Sequence, residues 1–598
     1  MAENDPNSLL LGGPAASEKR EEEQEVTGAV PGERETWQWL SRLGDDAQRG
    51  RDDSCEDGTW DDQAEDDREV YWGAQWDVNL PSFKVPIVVN TLKTEILGET
   101  SDLTDNPLKI FVHKDPAKGE EDKNVEAAMQ AEWSRTFADM QVMIAARDSL
   151  LHPAGFLYCG IKDNRQTRQK ELEIRAFDPL CVYPDPDCTS DEDWAYVLIR
   201  EVVDLVKIRE EFPERGFRVK PDDAVSTKTP NAAPWWQVWK RWGGGAYKGP
   251  INSPGTNSRI TGYIKARCEK LTLYIYDDAT EEVPEEKKDE QGNPVMEPNK
   301  ETGELMPVMT IKTKLKYPNG RQIIGANGVI LYDDPYPFKG PFPIIPVWSE
   351  PTTHEFWVRT PAVRGVKELA RAGNKMDSLV LENGIRLNSG LIVADQSTGI
   401  KPSNWANIPG QIFVKGPGEF KIYYPPPMPD TMVKMGDFFR EKMNRVLGRD
   451  RQPMAGNVSG ELVETEIAQA QGLTRLRARL LHVAVQKLVS QMFYRMAQYY
   501  TMPRMIPYVD STEWHPVPWE PINKPEDYGV HVDPASFTLR SKTLLQRLTM
   551  ALAKMGKVST EYTLKTLEMP DAKAEAQKAD QELAMAAQAK KNARKANW

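Results

Sequence analysis

The sequence predicts an α+β protein in which a mainly antiparallel part is followed by a helical part. Three observations carry this. Residues 71–355 mix amphipathic helical stretches with short strand-like runs separated by Pro, Gly, Asn and Asp. After Pro361 the apolar residues recur at helical spacing. A turn-rich β segment, 391–427, interrupts this helical part and leaves one helix on each side of it.

Residues 124–150 are expected to form one helix, with Val125, Met129, Trp133, Phe137, Met140 and Ile144 on one face and "HPAG" (152–155) as its stop. Strands are expected at 155–161, 172–183 and 194–202, then a short helix ending at Pro213. Residues 219–258 are rich in Pro, Gly, Asn and Ser around "PWWQVWKRWGGG". Two further strands, 263–278 and 309–317, flank a charged loop at 278–305, and "IIGANGVILY" predicts a hairpin turning at Asn327-Gly328.

In the helical part, the first helix is expected over 361–389 and the second over 430–447, with Met432, Met435, Phe439, Met443 and Val446 on one face and a stop at Gly448. "RDRQPMAGNVSG" (449–460) reads as a loop, after which Ser459 caps a long helix to about 500 that Gly472 interrupts. A Pro-rich return (503–535), two small helices (541–556, 559–568) and a basic tail complete the chain. Two helices bracketing a small β module cannot bury two faces alone, so a homo-oligomer is expected.

The formal net charge is −14 over 598 residues, yet residues 1–70 alone hold 21 acids against 7 bases, leaving 69 of each sign in the rest. Residues 1–70 are therefore expected to be a disordered or late-ordering acidic arm on a balanced body. No run is long and apolar enough for a membrane span, and the first residues lack a basic segment leading into an apolar stretch, so neither a span nor a secretory signal is expected. The five cysteines (Cys55, Cys159, Cys181, Cys188, Cys268) are odd in number and scattered, which points to a reducing compartment without disulfides.

Catalytic patterns are not found. "GGGAYKGP" and "GPGEFK" miss the spacing of a phosphate-wrapping loop, and neither G-x-S-x-G nor H-E-x-x-H occurs. Cys181 and Cys188 are too far apart for paired zinc ligands, and His113, His152, His354, His482, His515 and His531 are isolated. "DPDCTSDEDW" (185–194) starts like a calcium loop, but Ser190 and Tyr196 stand where Gly and Glu are needed, so a solvated acidic turn is the better reading. Trp235, Trp236, Trp239 and Trp242 with Lys240 and Arg241 are able to stack bases, but suit a core or subunit interface better. No catalytic residue, metal or cofactor is expected.

One pattern stands apart. Arg364, Lys367, Arg371 and Lys375 fall within an arc of about 80° on the first helix of the helical part. The plain reading is a solvated charged face, bordered by Glu368 and, lower down, Glu382.

Several stretches together resemble the portal proteins of tailed bacteriophages, closest to the short-tailed type: "FDPLCVYPDPDCTSDEDWAYVLIRE" (177–201), "GVILYDDPYPFKGPFPIIPVW" (328–348), "RGVKELARAGNKMDSLVLENGI" (364–385) with Asn374 and Ser378 four residues apart, and "SGELVETEIAQAQGLTRLRARL" (459–480). The similarity covers about residues 75–570, and the order of the motifs is more specific than any one of them. One departure is Ala370, where the family often has Gln. The resemblance implies a portal fold and a ring of twelve subunits at one capsid vertex, around a channel for double-stranded genome DNA. It implies 71–360 as wing, 361–390 as the first stem helix, 391–427 as clip, 428–448 as the second stem helix, 449–460 as tunnel loop, 461–535 as long helix and wing return, and 536–598 as crown and tail.

Under that reading, Arg364, Lys367, Arg371 and Lys375, repeated around a ring, are expected to line the channel and touch phosphates without reading sequence, unless they pair with acids of a neighbouring subunit. Arg449, Arg451 and Gln452 of the tunnel loop are expected to follow the DNA backbone. Asn404, Trp405 and Ile408 of the clip are the expected contact for terminase and then tail or adaptor proteins, with Trp405 as anchor. Major capsid or scaffold protein is the further partner, and the virion, with host cytoplasm during assembly, the location. The protein is expected not to be an enzyme. The alternatives are a metal-dependent DNA-handling nuclease or translocase using the acidic turn, or a capsid shell subunit.

Overall fold

The computed structural model describes residues 32–55, 58–76, 86–106, 108–114, 121–164, 168–222, 263–286, 309–353, 359–388, 391–398, 416–423, 426–448, 472–510, 513–534, 542–555 and 557–567, with a few residues elsewhere. The chain divides into two compact units, Met1–Arg49 with Leu198–Pro337, and Gly50–Val197 with Phe338–Trp598.

The first unit is built on antiparallel strands that neighbour one another in the order Val329–Pro335, Arg321–Ala326, Arg267–Ile275 and Tyr196–Asp204. The hairpin between the first two turns at Asn327 (φ 42°) and Gly328 (φ 85°), both left-handed, as a two-residue turn of the primed type requires. Leu205, Ile208, Val219, Cys268, Ile324, Ala326, Val329 and Leu331 form its core. The start of helix Glu33–Asp52 lies against this sheet. Leu40 is fully buried, and a Cβ at Gly325 would stand 2.8 Å from the Trp37 ring, so a larger residue there would push that helix away. The Glu33 carboxylate accepts from the Ile330 amide (3.1 Å) and from Arg218 (2.9 Å).

The second unit has its largest core between helices Lys123–Arg135, Ala138–Leu151 and Gly472–Tyr499 and the three-stranded sheet Ile344–Trp348, Ala154–Asp163, Lys170–Phe177. A second core gathers Val70, Tyr71, Leu92, Ile96, Leu150, Leu151, Val363, Val366, Ala370, Met443 and Leu447. The two small helices near the C-terminus are Lys542–Lys554 and Thr560–Thr566.

Several expectations are corrected. The acidic arm contains helices Glu33–Asp52 and Trp60–Trp72, which fill much of the region read as disordered or late-ordering. Composition hid an apolar face, because Trp60, Ala64, Val70 and Tyr71 recur at helical spacing among the acids and are buried. The helix expected over 124–150 is two helices. Thr136 closes the first by donating its amide and hydroxyl to the Glu132 carbonyl (3.0 and 2.9 Å). Phe137 then takes a left-handed conformation (φ 52°). Phe137 and Met140 are exposed, while Val125, Met129 and Trp133 are buried. Within the charged loop of 278–305, Thr280–Glu286 pairs antiparallel with Met309–Leu315, setting Glu281 opposite Lys314. The first helix of the helical part starts at Lys367, after turns over 362–366. The second breaks at Lys434 into Asp430–Val433 and Met435–Val446, and of its apolar face only Met443 is buried.

Candidate functional site

The site begins with helix Trp60–Trp72. Thr59 caps its start by accepting the Asp62 amide, Asp61 and Asp62 favour its positive end, and Gly73 (φ 104°) ends it in the left-handed region. Its buried face runs Trp60, Ala64, Asp67, Tyr71, so Asp67 sits inside an apolar stripe with no exposed surface. A carboxylate so placed must meet a cation.

The cations are those of the stripe. Arg364 Nε donates to Asp67 Oδ2 (3.0 Å), and Lys367 Nζ donates to Asp67 Oδ1 (2.9 Å) and Asp66 Oδ2 (2.8 Å). Arg371 donates to Asp66 through Nη2 and to Glu368 Oε1 through Nη1 (2.8 Å). Burial raises the Asp66 carboxyl, but the bond from Lys367 and the charges of Lys367 and Arg371 more than offset this and hold it below the usual carboxylate range. Burial lowers Lys367 and Arg371, yet bonds to Asp66, Asp67 and Glu368 hold both above their ordinary values. Arg364, Lys367 and Arg371 are thus paired within the chain itself. Asp66 and Asp67, their main partners, come from the chain's own acidic segment. Lys375, one turn on, is exposed.

The neighbouring face of the same helix is polar for a different reason. Asn374 is buried, accepts the Val89 amide on Oδ1 (3.0 Å) and donates to Gln75 through Nδ2. Ser378 accepts the Ile87 amide on Oγ (2.9 Å). The four-residue spacing of these two residues thus grips the backbone at Ile87 and Val89, which lies outside any helix or strand. Ala370 is buried in the second core beside Val363, Val366 and Met443.

Further along, helix Lys367–Asn388 packs on helix Met435–Val446. A Cβ at Gly373 would be 3.7 Å from the Gly436 carbonyl and 3.8 Å from Phe439 Cβ, and Asp377 pairs with Arg440. Other apolar side chains of the two helices are exposed, namely Leu379, Leu381, Ile385, Met435, Phe438 and Val446, as are Val393 and Tyr423 on the paired strands Leu391–Ala394 and Phe420–Tyr423.

The acidic turn 185–194 is occupied by its own protein. Asp185 accepts the amides of Asp187 (3.2 Å) and Ala195 (3.3 Å), and both oxygens of Asp191 receive Lys487 Nζ at 2.8 Å. Among the described residues no group of three or more His, Cys, Asp or Glu is placed to hold a metal, and no helix is long and apolar enough to cross a membrane. Arg449, Arg451 and Gln452, the clip residues Asn404, Trp405 and Ile408, and the tryptophans of 235–242 lie outside the described residues.

Sequence reasoning missed Arg51. Its guanidinium is fully buried against the rings of Tyr183 (3.9 Å), Trp60 (4.3 Å) and Trp357 (4.5 Å) and donates to the carbonyls of Pro179 (2.6 Å) and Val182 (2.9 Å). A single arginine in an acidic run gives no sign of partners some 130 or 300 residues away.

No curated protein matches the chain. One family model does, described as Phage P22-like portal protein, over residues 48–597. That span takes in the acidic helix, the helix it neutralises, the outward-facing helical hairpin and all that follows. The chain belongs to the P22-like family of phage portal proteins.

Proposed function

We propose that twelve copies of this chain form a ring at one capsid vertex, through which double-stranded genome DNA is packaged and later ejected. Membership in the portal family carries the core of this reading, a virion protein of the capsid vertex that assembles as a ring with capsid, terminase and tail partners. What supports the ring in the chain itself is the helical hairpin, whose exposed Leu379, Ile385, Phe438 and Val446 are the kind of surface a neighbouring copy would cover. In this reading the hairpin is the stem and the β module at its tip is the clip. Asn404, Trp405 and Ile408 of the clip meet terminase during packaging and adaptor proteins afterwards. Arg449, Arg451 and Gln452 of the tunnel loop, together with exposed Lys375, face the duplex and touch phosphates weakly. Packaging energy comes from the terminase, and assembly takes place in the host cytoplasm. Sedimentation and negative-stain imaging of the purified protein test this. Rings with a central hole and the mass of about twelve chains are expected, and uniform monomers or closed shells would overturn it.

A further inference from the structure

We infer that helix Trp60–Trp72 is a built-in counterion for the cationic stripe: Asp66 and Asp67 take the places that DNA phosphates would take, and so keep Arg364, Lys367 and Arg371 from gripping the duplex. The use of this masking rests on the portal reading, but the masking itself is a property of the purified protein with any duplex.

The charges close on themselves. Asp66, Asp67 and Glu368 stand against Arg364, Lys367 and Arg371, three of each sign within hydrogen-bond distance. Without the acidic helix, Glu368 would be the acid left beside these three cations, and exposed Lys375 would extend the stripe by a turn. The stripe also keeps donors to spare, because Arg364 Nη2 and Arg371 Nε are buried with no acceptor.

The mask is held by more than charge. Trp60, Ala64, Val70 and Tyr71 are buried under the same helix, so ordinary salt does not lift it. Its rim is accessible all the same: Asp66 is one-third exposed, and Lys367 and Arg371 are about one-fifth exposed. The consequence matters for a conduit. Each phosphate held by a cation adds about 0.9 to the slope of log affinity against log salt. Three such contacts on every subunit of a ring would hold a duplex in place instead of letting it slide.

The test is duplex binding by the full-length protein, read by fluorescence anisotropy of a labelled random-sequence DNA over a series of salt concentrations. Asp66→Asn is expected to bind several-fold tighter at low salt, with a slope steeper by about one ion. Adding Arg371→Gln to Asp66→Asn is expected to return both to wild type. Glu368→Gln, at an exposed carboxylate where folding is not at issue, frees the same Arg371 and is expected to shift both in the same direction. Unchanged affinity and slope in a folded Asp66→Asn protein, or in Glu368→Gln should the former not fold, would overturn the inference. Sedimentation of the same samples reports the ring separately, so failure of the portal reading shows as a wrong mass and not as a binding slope.

Discussion

The two ends of one helix, Lys367–Asn388, are finished differently. Its first turns are complete within the subunit. Val366 and Ala370 enter a core, while Lys367 and Arg371 meet Asp66 and Asp67. Its last turns are not complete, since Leu379, Leu381 and Ile385 are exposed. The difference separates the turns that the subunit buries by itself from those it leaves exposed. The first turns are buried within the subunit, with ion pairs to Asp66 and Asp67, and the last turns leave their apolar side chains exposed.

The comparison breaks first at Asp67. Asp67→Ala leaves Arg364 and Lys367 facing an uncharged buried position, and loss of one partner from a buried pair typically costs about 3–5 kcal/mol. Chemical unfolding of the subunit is expected to show a destabilisation of that order. A change near zero would mean that the apolar contacts alone hold the acidic helix.

A second break is by acid. His152 lies under this helix, and burial first, then the charge of Arg68, pushes its imidazole down to about 3. The folded chain binds this proton more weakly than the unfolded chain, whose imidazole keeps its ordinary value near 6.5. Stability therefore falls as pH drops below the ordinary imidazole range, by up to about 1.4 kcal/mol per pH unit, until the folded value is reached. Asp66, held below the usual carboxylate range, adds stability above that range that is lost as pH falls through its folded value. Unfolding midpoints between pH 7 and 4 are expected to fall more steeply for wild type than for His152→Gln, and parallel curves would contradict this.

Smaller effects sharpen the contrast. Asn374→Ala strands the Val89 amide and removes a buried bond to Gln75, so a loss of about 1–3 kcal/mol is expected in thermal unfolding. Lys375→Ala, one residue along the same helix but exposed, is expected to stay within about 0.5 kcal/mol of wild type. If the two substitutions cost the same, Asn374 does not grip the extended segment as its contacts indicate.

How much of this the sequence carried depended on whether the cause was local. The hairpin at Asn327-Gly328 was legible because two left-handed residues between apolar runs admit few other structures. Asn374 and Ser378 were legible as a pair, but not as a clamp on Ile87 and Val89, because their partners lie nearly 290 residues away. The stripe was legible as charge on one helix face and its partners were not, since the acidic segment reads as disordered by composition until its buried Trp60, Ala64, Val70 and Tyr71 are seen. The break at Phe137 was hidden by an apolar spacing that runs unbroken across it.

Hydrogen exchange along Lys367–Asn388, measured on dissociated subunits and on the assembled protein, tests the contrast most directly. The account predicts that amides of 370–374 exchange slowly in both, while those of 379–388 exchange quickly in the subunit and slow markedly only on assembly. Equal exchange at the two ends of the helix in the free subunit, or no slowing of the lower turns in the assembled protein, would contradict it.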